Sequence, residues 1–149
     1  MDDRYEGLKL DNQICFPLYA ASKEVIRKYR PHLDALGLTY TQYITLMVMW
    51  ENERMNVKDL GTELFLDSGT LTPVLKSLEQ KEYITRERSK DDERVLFATI
   101  TPKGLKLREK AVRIPKAVAS SINLDGKDAL ELYRLLYKIL RTVDQSEEE

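Results

Sequence analysis

Cysteine is almost missing from this chain of 149 residues; Cys15 is the only one. A lone thiol cannot close a disulfide within the chain or build a Cys-rich zinc site. Histidine is as scarce. His32 stands alone with no metal partner at useful spacing, and its place near a helix end suggests capping or packing instead. No metal or cofactor is therefore expected. Long apolar runs are missing too, all falling far short of the ~18–20 residues that span a bilayer. The opening Met1-Asp2-Asp3-Arg4-Tyr5-Glu6 lacks the basic and then apolar stretches of a secretory signal, so a cytoplasmic location is expected. Nor is there an excess of charge of either sign: the net charge of −1 argues against a globally basic nucleic-acid binder.

What is present fits a single domain, 1–149, able to bury roughly two-thirds of the surface its unfolded form exposes. A charged fraction of 33% beside 42% hydrophobic residues describes a soluble protein with many exposed helix faces. The charges are unevenly placed. Residues 103–116 carry Lys103, Lys106, Arg108, Lys110, Arg113 and Lys116 against Glu109 alone, while the tail 142–149 holds Asp144, Glu147, Glu148 and Glu149 without a base. Such clustering permits a positive face on a near-neutral protein. It does not establish one, because residues 54–94 contain eight bases and nine acids.

Ile14, Leu18, Val25, Ile26, Tyr29 and Leu33 follow helical spacing and predict a first helix over about 14–33. Asp11 or Asn12 is expected to cap it, with Pro17 in its first turn, where a missing N–H costs least. Cys15 then falls near the positive end of this helix. Leu36-Gly37-Leu38 breaks the pattern, and Thr39-Tyr40-Thr41-Gln42 matches a capping box, with Leu38 and Tyr43 in the staple positions. The second helix, Tyr40 to about Glu51, is almost wholly apolar from Tyr43 to Trp50 and should be the most buried element. Asn56 caps a third helix ending near Leu64, and Asp67 or Ser68 opens a fourth running to about Lys81. Leu71, Val74, Leu75 and Leu78 form its apolar stripe. Gly69, Thr72, Pro73, Lys76 and Gln80 fall opposite, with little bulk to hold the helix away from a groove.

Tyr83–Arg88 and Val95–Ile100 read as strands joined by Ser89-Lys90-Asp91-Asp92-Glu93-Arg94, a long exposed tip rather than a tight two-residue turn. Thr101-Pro102 starts a fifth helix with proline in its favoured first position. Asp125 opens a sixth, whose stripe Leu132, Leu135, Leu136, Ile139, Leu140 and Val143 is long and wide. Helix, short helix, helix and two-stranded wing is the order of a winged helix-turn-helix, in which the second helix of the motif enters the major groove of DNA. A small helical domain with an incidental hairpin would share this order.

Asp67-Ser68-Gly69-Thr70-Leu71-Thr72-Pro73, Asp91-Asp92-Glu93-Arg94 and Thr101-Pro102-Lys103-Gly104 together resemble the MarR family of bacterial transcriptional regulators. Asn12-Gln13-Ile14-Cys15-Phe16 with Tyr29, Tyr40 and Tyr43 resembles its organic hydroperoxide-sensing, OhrR-like branch of one-cysteine type. The resemblance runs from about Leu10 to Leu140. It implies a mainly α fold with a small β-wing, a winged helix-turn-helix region at 39–100, and a helical dimerisation region at 10–36 and 102–143. It also implies a homodimer on a pseudo-palindromic double-stranded DNA operator. Ser68, Thr70, Thr72 and Lys76 would face the major groove, and Arg94, oriented by Asp92, would enter the minor groove. Arg86, Arg88 and Lys90 would serve backbone contacts. A solvated ion pair worth ~0–1 kcal/mol is the plain alternative for Asp92 and Arg94.

A lone cysteine in an apolar neighbourhood is most often a small buried hydrophobe. A helix N-terminus, however, favours the thiolate that a peroxide attacks, and phenolic O–H groups can donate hydrogen bonds to it. The resemblance implies that Tyr29 and Tyr40 from the partner subunit do so, with Tyr19 nearby on the same helix. Core packing is the alternative for these tyrosines and the expectation for Tyr43. An organic hydroperoxide would convert Cys15 to sulfenic acid. With no second cysteine, a mixed disulfide with a low-molecular-weight thiol, or over-oxidation, would complete the response. Two rivals remain: a repressor responding to a small aromatic ligand in a cleft between the dimer and DNA regions, with Cys15 structural, and a thiol peroxidase. No resolving cysteine or substrate-polarising Thr/Arg set supports the second, so the protein is not expected to be an enzyme.

Overall fold

The computed structural model describes residues 3–146, with side chains described through Val143. The acidic side chains from Asp144 onward lie outside the described residues. Among those described, α1 (Cys15–Asp34), α2 (Tyr40–Asn52), β1 (Arg54–Asn56), α3 (Val57–Leu64), α4 (Ser68–Gln80), β2 (Ile84–Arg88), β3 (Leu96–Ile100), α5 (Pro102–Ala111), α6 (Ile114–Ala119) and α7 (Gly126–Ser146) follow one another. Two short 3₁₀ turns, Asp3–Leu8 and Leu10–Asn12, precede them.

The starts of these helices are set by side chains that satisfy orphan backbone donors. Thr39 Oγ1 accepts from Gln42 N–H at 3.3 Å while Gln42 Oε1 accepts from Thr39 N–H at 3.1 Å, completing the capping box of α2. Asn56 caps α3, Asp67 caps α4, Thr101 caps α5, and Asp125 Oδ1 accepts from Asp128 N–H at 2.8 Å at the head of α7. The exception is α1. It starts at Cys15 with no side-chain cap, so neither Asp11 nor Asn12 plays that part. Asn12 is drawn back instead, its amide donating to the Glu6 carbonyl at 2.8 Å. Pro17 does fall in the first turn.

The wing is part of a three-stranded antiparallel sheet in the order β1-β3-β2, rather than two strands alone. Arg88 pairs with Leu96 and Ile84 with Ile100, while Met55 pairs with Ala98 on the other side of β3. The chain from 102 onward is divided into two helices, α5 and α6, before α7. Two glycines permit the close approaches that fix the α3–α4 turn and the wing. A Cβ on Gly61 would stand 2.8 Å from the Leu66 carbonyl oxygen, and one on Gly104 would stand 2.2 Å from that of Tyr83.

Leu46, Met49, Leu60, Leu71, Leu75, Leu78, Ile84 and Ala98 make the centre of the core, contributed by α2, α3, α4 and the sheet. Leu107, Ala111, Ile114 and Val118 extend it along α5 and α6, and α1 adds Leu33. As the apolar run of α2 predicts, that helix buries Gln42, Tyr43, Thr45, Leu46 and Met49. By contrast, no residue of α7 from 126 to 143 is buried in the single chain. No described helix is long and apolar enough to cross a membrane.

Candidate functional site: an exposed helix face, a wing and an exposed thiol

Two faces of α4 divide as their spacing requires. Leu71, Leu75 and Leu78 are buried, while Ser68, Gly69, Thr70, Thr72, Pro73, Lys76 and Gln80 are all exposed. Thr72 Oγ1 donates to the Ser68 carbonyl at 2.7 Å, and Asp67 Oδ1 accepts from Thr70 N–H at 2.7 Å. That bond and a second from the Thr70 side chain hold the Asp67 carboxyl below its ordinary range. The first turn of α4 is therefore rigid, and it presents small hydroxyls on a surface a groove could accept.

The wing tip carries a highly exposed cation. Arg94 and Asp92 make a two-point fork, Nε to Oδ1 at 3.0 Å and Nη2 to Oδ2 at 3.1 Å, and Asp92 Oδ1 also accepts from Arg94 N–H at 3.0 Å. The Arg94 side chain remains 90% exposed. Such a fork fixes a guanidinium in direction without burying it. Arg94 hydrogen bonds hold the Asp92 carboxyl low, and the Asp92 carboxylate raises Arg94 in turn. Arg88 is exposed and donates from Nη1 to the Glu93 carbonyl at 3.2 Å, and Lys90 is exposed beside it.

Arg86 is placed differently from its neighbours. Its Nη2 donates to Glu79 Oε1 at 3.1 Å, its backbone N–H donates to Glu79 Oε2 at 2.9 Å, and its side chain is only 21% exposed. The guanidinium thus ties β2 to the end of α4. A group anchored there is poorly disposed to reach a phosphate, because reaching out would break its hydrogen bond to Glu79.

Cys15 occupies the first position of α1 and is exposed. It is not the buried hydrophobe that a lone cysteine most often is. Tyr19 stands one turn along the same face, 63% exposed, with the Lys23 ammonium 5.5 Å from its ring centre. Tyr29 and Tyr40 meet edge to face at 5.1 Å, and Tyr43 lies 5.9 Å from Tyr29 and 6.2 Å from Tyr40. Burial pushes the Tyr40 phenol up from its ordinary value, and Tyr29 beside it adds to the effect. Tyr43 is raised for the same reasons and is itself buried. Among the described residues, no side chain of the same chain hydrogen-bonds the Cys15 sulfur. The structure therefore gathers Tyr29 and Tyr40 into one cluster, and leaves Tyr19 with Cys15 on the open face of α1.

A groove of about 790 Å³ runs between α3, α4, the tip end of the wing and α7, lined by Thr62, Phe65, Leu66, Arg94, Leu140 and Val143 among others. Phe65 closes α3 in the left-handed conformation, with φ 54° and ψ 38°, which is uncommon for an aromatic residue. Among the described residues, no group of three or more His, Cys, Asp or Glu side chains could hold a metal ion. Sequence reasoning missed two connections, Arg86 to Glu79 and Gln42 to Ser77, the latter donating from Nε2 to Oγ at 2.9 Å. The first joins residues seven apart across a turn, and the second joins residues thirty-five apart. Neither spacing carries a local signal.

The family described as transcriptional regulator SarA/Rot matches residues 27–111. The organic hydroperoxide resistance transcriptional regulator of Bacillus subtilis is 46% identical over 145 residues, covering 97% of this chain and 99% of that protein. The HTH-type transcriptional regulator SarZ of Staphylococcus saprophyticus is 45% identical over 127 residues, 85% of this chain and 87% of that protein. Among solved structures, reduced AbfR bound to DNA superposes with a TM-score of 0.78 at 32% identity, covering 95% of this chain and 97% of the other. Overoxidised AbfR bound to DNA follows with a TM-score of 0.72 at 34% identity, covering 92% and 98%. These relatives are transcriptional regulators and not enzymes. With its helix-turn-helix, its wing and its single thiol at the head of α1, the chain belongs to the SarA/MarR-type winged-helix family of transcriptional regulators, in the organic hydroperoxide branch.

Proposed function

We propose that this protein is a redox-sensing DNA-binding repressor, released from its operator when an organic hydroperoxide oxidises Cys15. The observation that carries the reading is the exposure of the only sulfhydryl at the first position of α1. The protein acts in the cytoplasm as a homodimer on a pseudo-palindromic double-stranded DNA site. Residues 39–100 form the DNA-binding region, and 10–36 with 102–143 form the dimerisation region. Support for that division comes from burial: α1 buries Leu33 alone, and α7 leaves Leu132, Leu135, Ile139 and Val143 exposed in the single chain.

On the DNA, Ser68, Thr70, Thr72 and Lys76 face the major groove and Arg94, aimed by Asp92, enters the minor groove. Arg88 and Lys90 contact the phosphate backbone. Arg86 is revised from that role to holding β2 against α4, because its guanidinium is engaged by Glu79.

At the sulfur, Tyr29 and Tyr40 of the partner subunit donate hydrogen bonds to the Cys15 thiolate, with Tyr19 alongside. The raised Tyr40 phenol supports this role, since a group that stays protonated remains a donor. The thiolate attacks the terminal oxygen of the hydroperoxide, an S–O bond forms and the O–O bond breaks. The alkoxide leaves as the alcohol after taking a proton, and the sulfur is oxidised to sulfenic acid. A low-molecular-weight thiol then displaces water to give a mixed disulfide; without it, further peroxide carries the sulfur to higher oxides. The mixed disulfide enlarges the sulfur and ends its role as a small anionic acceptor. The helices shift, and the paired recognition helices leave half-sites one turn of DNA apart.

The test is Cys15→Ser under cumene hydroperoxide, read by gel shift with a duplex that the reduced protein selects from a random pool. Oxidation is expected to weaken the wild type by a few hundredfold, equivalent to ~3–4 kcal/mol, and to leave the serine variant bound. Release of the serine variant by peroxide would sink the reading. The aromatic-ligand alternative is not favoured, since the named relatives point to hydroperoxide and redox control.

A further inference from the structure

The first turn of α2 carries two kinds of side chain on two faces. Tyr40, its first residue, joins the Tyr29–Tyr43 cluster, and Gln42, two residues on, faces away from it at 100° per residue. Gln42 is 7% exposed, and both ends of its amide are engaged. Oε1 accepts from Thr39 N–H at 3.1 Å and from Lys81 Nζ at 3.3 Å, and Nε2 donates to Ser77 Oγ at 2.9 Å. Ser77 lies in the recognition helix α4 and Lys81 is the residue that ends it. Lys81 also donates to the Gly37 carbonyl in the turn between α1 and α2. One amide therefore binds the head of α2 to the last turns of α4, and one ammonium clasps the same helix end to the α1–α2 turn.

We infer that Gln42, held by Ser77 and Lys81, is the positioning residue through which movement of the tyrosine cluster reaches the recognition helix. The inference rests on the redox reading above and names the route of its signal. Two features make the route physical. The capping box locks Tyr40 and Gln42 into one rigid turn, so Tyr40 cannot move without carrying the amide with it. Beyond that turn, the apolar contacts of α2 with α4 are non-directional and tolerate sliding, whereas hydrogen bonds fix distance and angle. The buried amide also resists detachment, because its polar atoms would be left without partners.

The experiment compares wild type, Ser77→Ala, Lys81→Met and Gln42→Glu. The glutamate keeps the capping box, can pair with Lys81 and can accept from the Ser77 hydroxyl, so it serves as the rescue variant. Operator affinity is measured by fluorescence anisotropy for the reduced proteins and for those oxidised with cumene hydroperoxide. Cys15 oxidation is followed separately by intact mass. The ratio of oxidised to reduced Kd is expected to fall by about tenfold in Ser77→Ala and Lys81→Met and to be restored in Gln42→Glu, with the rate of Cys15 oxidation unchanged in all. A parallel weakening of both redox forms at constant ratio would mark a merely structural contact and overturn the relay, while wild-type release still upholds the redox reading. Wild type that keeps its operator when fully oxidised would overturn the redox reading, and the relay with it.

Discussion

The winged-helix half and the outer helices obey opposite rules of burial. In α2, α3, α4 and the sheet, apolar side chains close on one another: Leu46, Met49, Leu60 and Leu78 are completely buried within one chain. In α1 and α7 the same residue types stand open, with Leu18 42% and Leu130 72% exposed. The first half is a core complete in itself. The second is half of one, and its apolar surface makes sense when another copy covers it. The sulfur sits on the open half, while the DNA-facing helix is built on the closed one. On the function proposed above, a signal must therefore cross from a surface assembled between chains to a helix packed within one.

The largest expected effect removes the open half. Leu135→Lys combined with Ile139→Lys places charges on the exposed stripe of α7 and should yield monomers with operator affinity lowered about a hundredfold or more. Sedimentation velocity and gel shift read it, and a stable dimer that still binds would erase the contrast between the halves. Next comes the closed half. Gly104→Ala sets a Cβ against the Tyr83 carbonyl, where Trp50 Nε1 also donates to the Gly104 carbonyl at 2.9 Å. Denaturant unfolding should show a loss of about 3 kcal/mol, since the obstacle is backbone and cannot rotate away. A loss under about 0.5 kcal/mol would mean that the wing is not anchored there.

The smallest effect concerns pH. The Arg86 hydrogen bond, and then its charge, hold the Glu79 carboxyl below its ordinary value of 4.5, against a desolvation that opposes them. A depressed carboxylate stabilises the fold above the unfolded value and loses that contribution as pH falls through the folded one. The stability gap between wild type and Glu79→Gln should accordingly be present at neutral pH and shrink progressively below 4.5. A gap that persists unchanged at lower pH would show that the ion pair does not fix the wing on α4.

Helix starts were legible because a cap is a local event: Thr39, Asn56, Asp67, Thr101 and Asp125 each serve a donor two or three residues away. The same logic misassigned the cap of α1, since Asn12 found the Glu6 carbonyl six residues upstream. Strand β1 was not legible for a different reason. Three residues have no periodicity to display, and Arg54-Met55-Asn56 is extended by pairing with Phe97-Ala98-Thr99. The exposed face of α4 followed from its own spacing, and the Asp92–Arg94 fork from the four-residue motif Asp91-Asp92-Glu93-Arg94. The tie of Arg86 to Glu79 was not legible because that partner lies on a different element. For Gln42 the box motif accounted for one of its three partners; the other two arrive only with the tertiary fold.

Exposure of Cys15 in the single chain has a consequence for the order of events after translation. If the phenols that poise the sulfur come from a second copy, as proposed above, a newly made chain leaving the ribosome carries a thiol that is open but not yet poised. Pairing of two such copies must then precede useful detection.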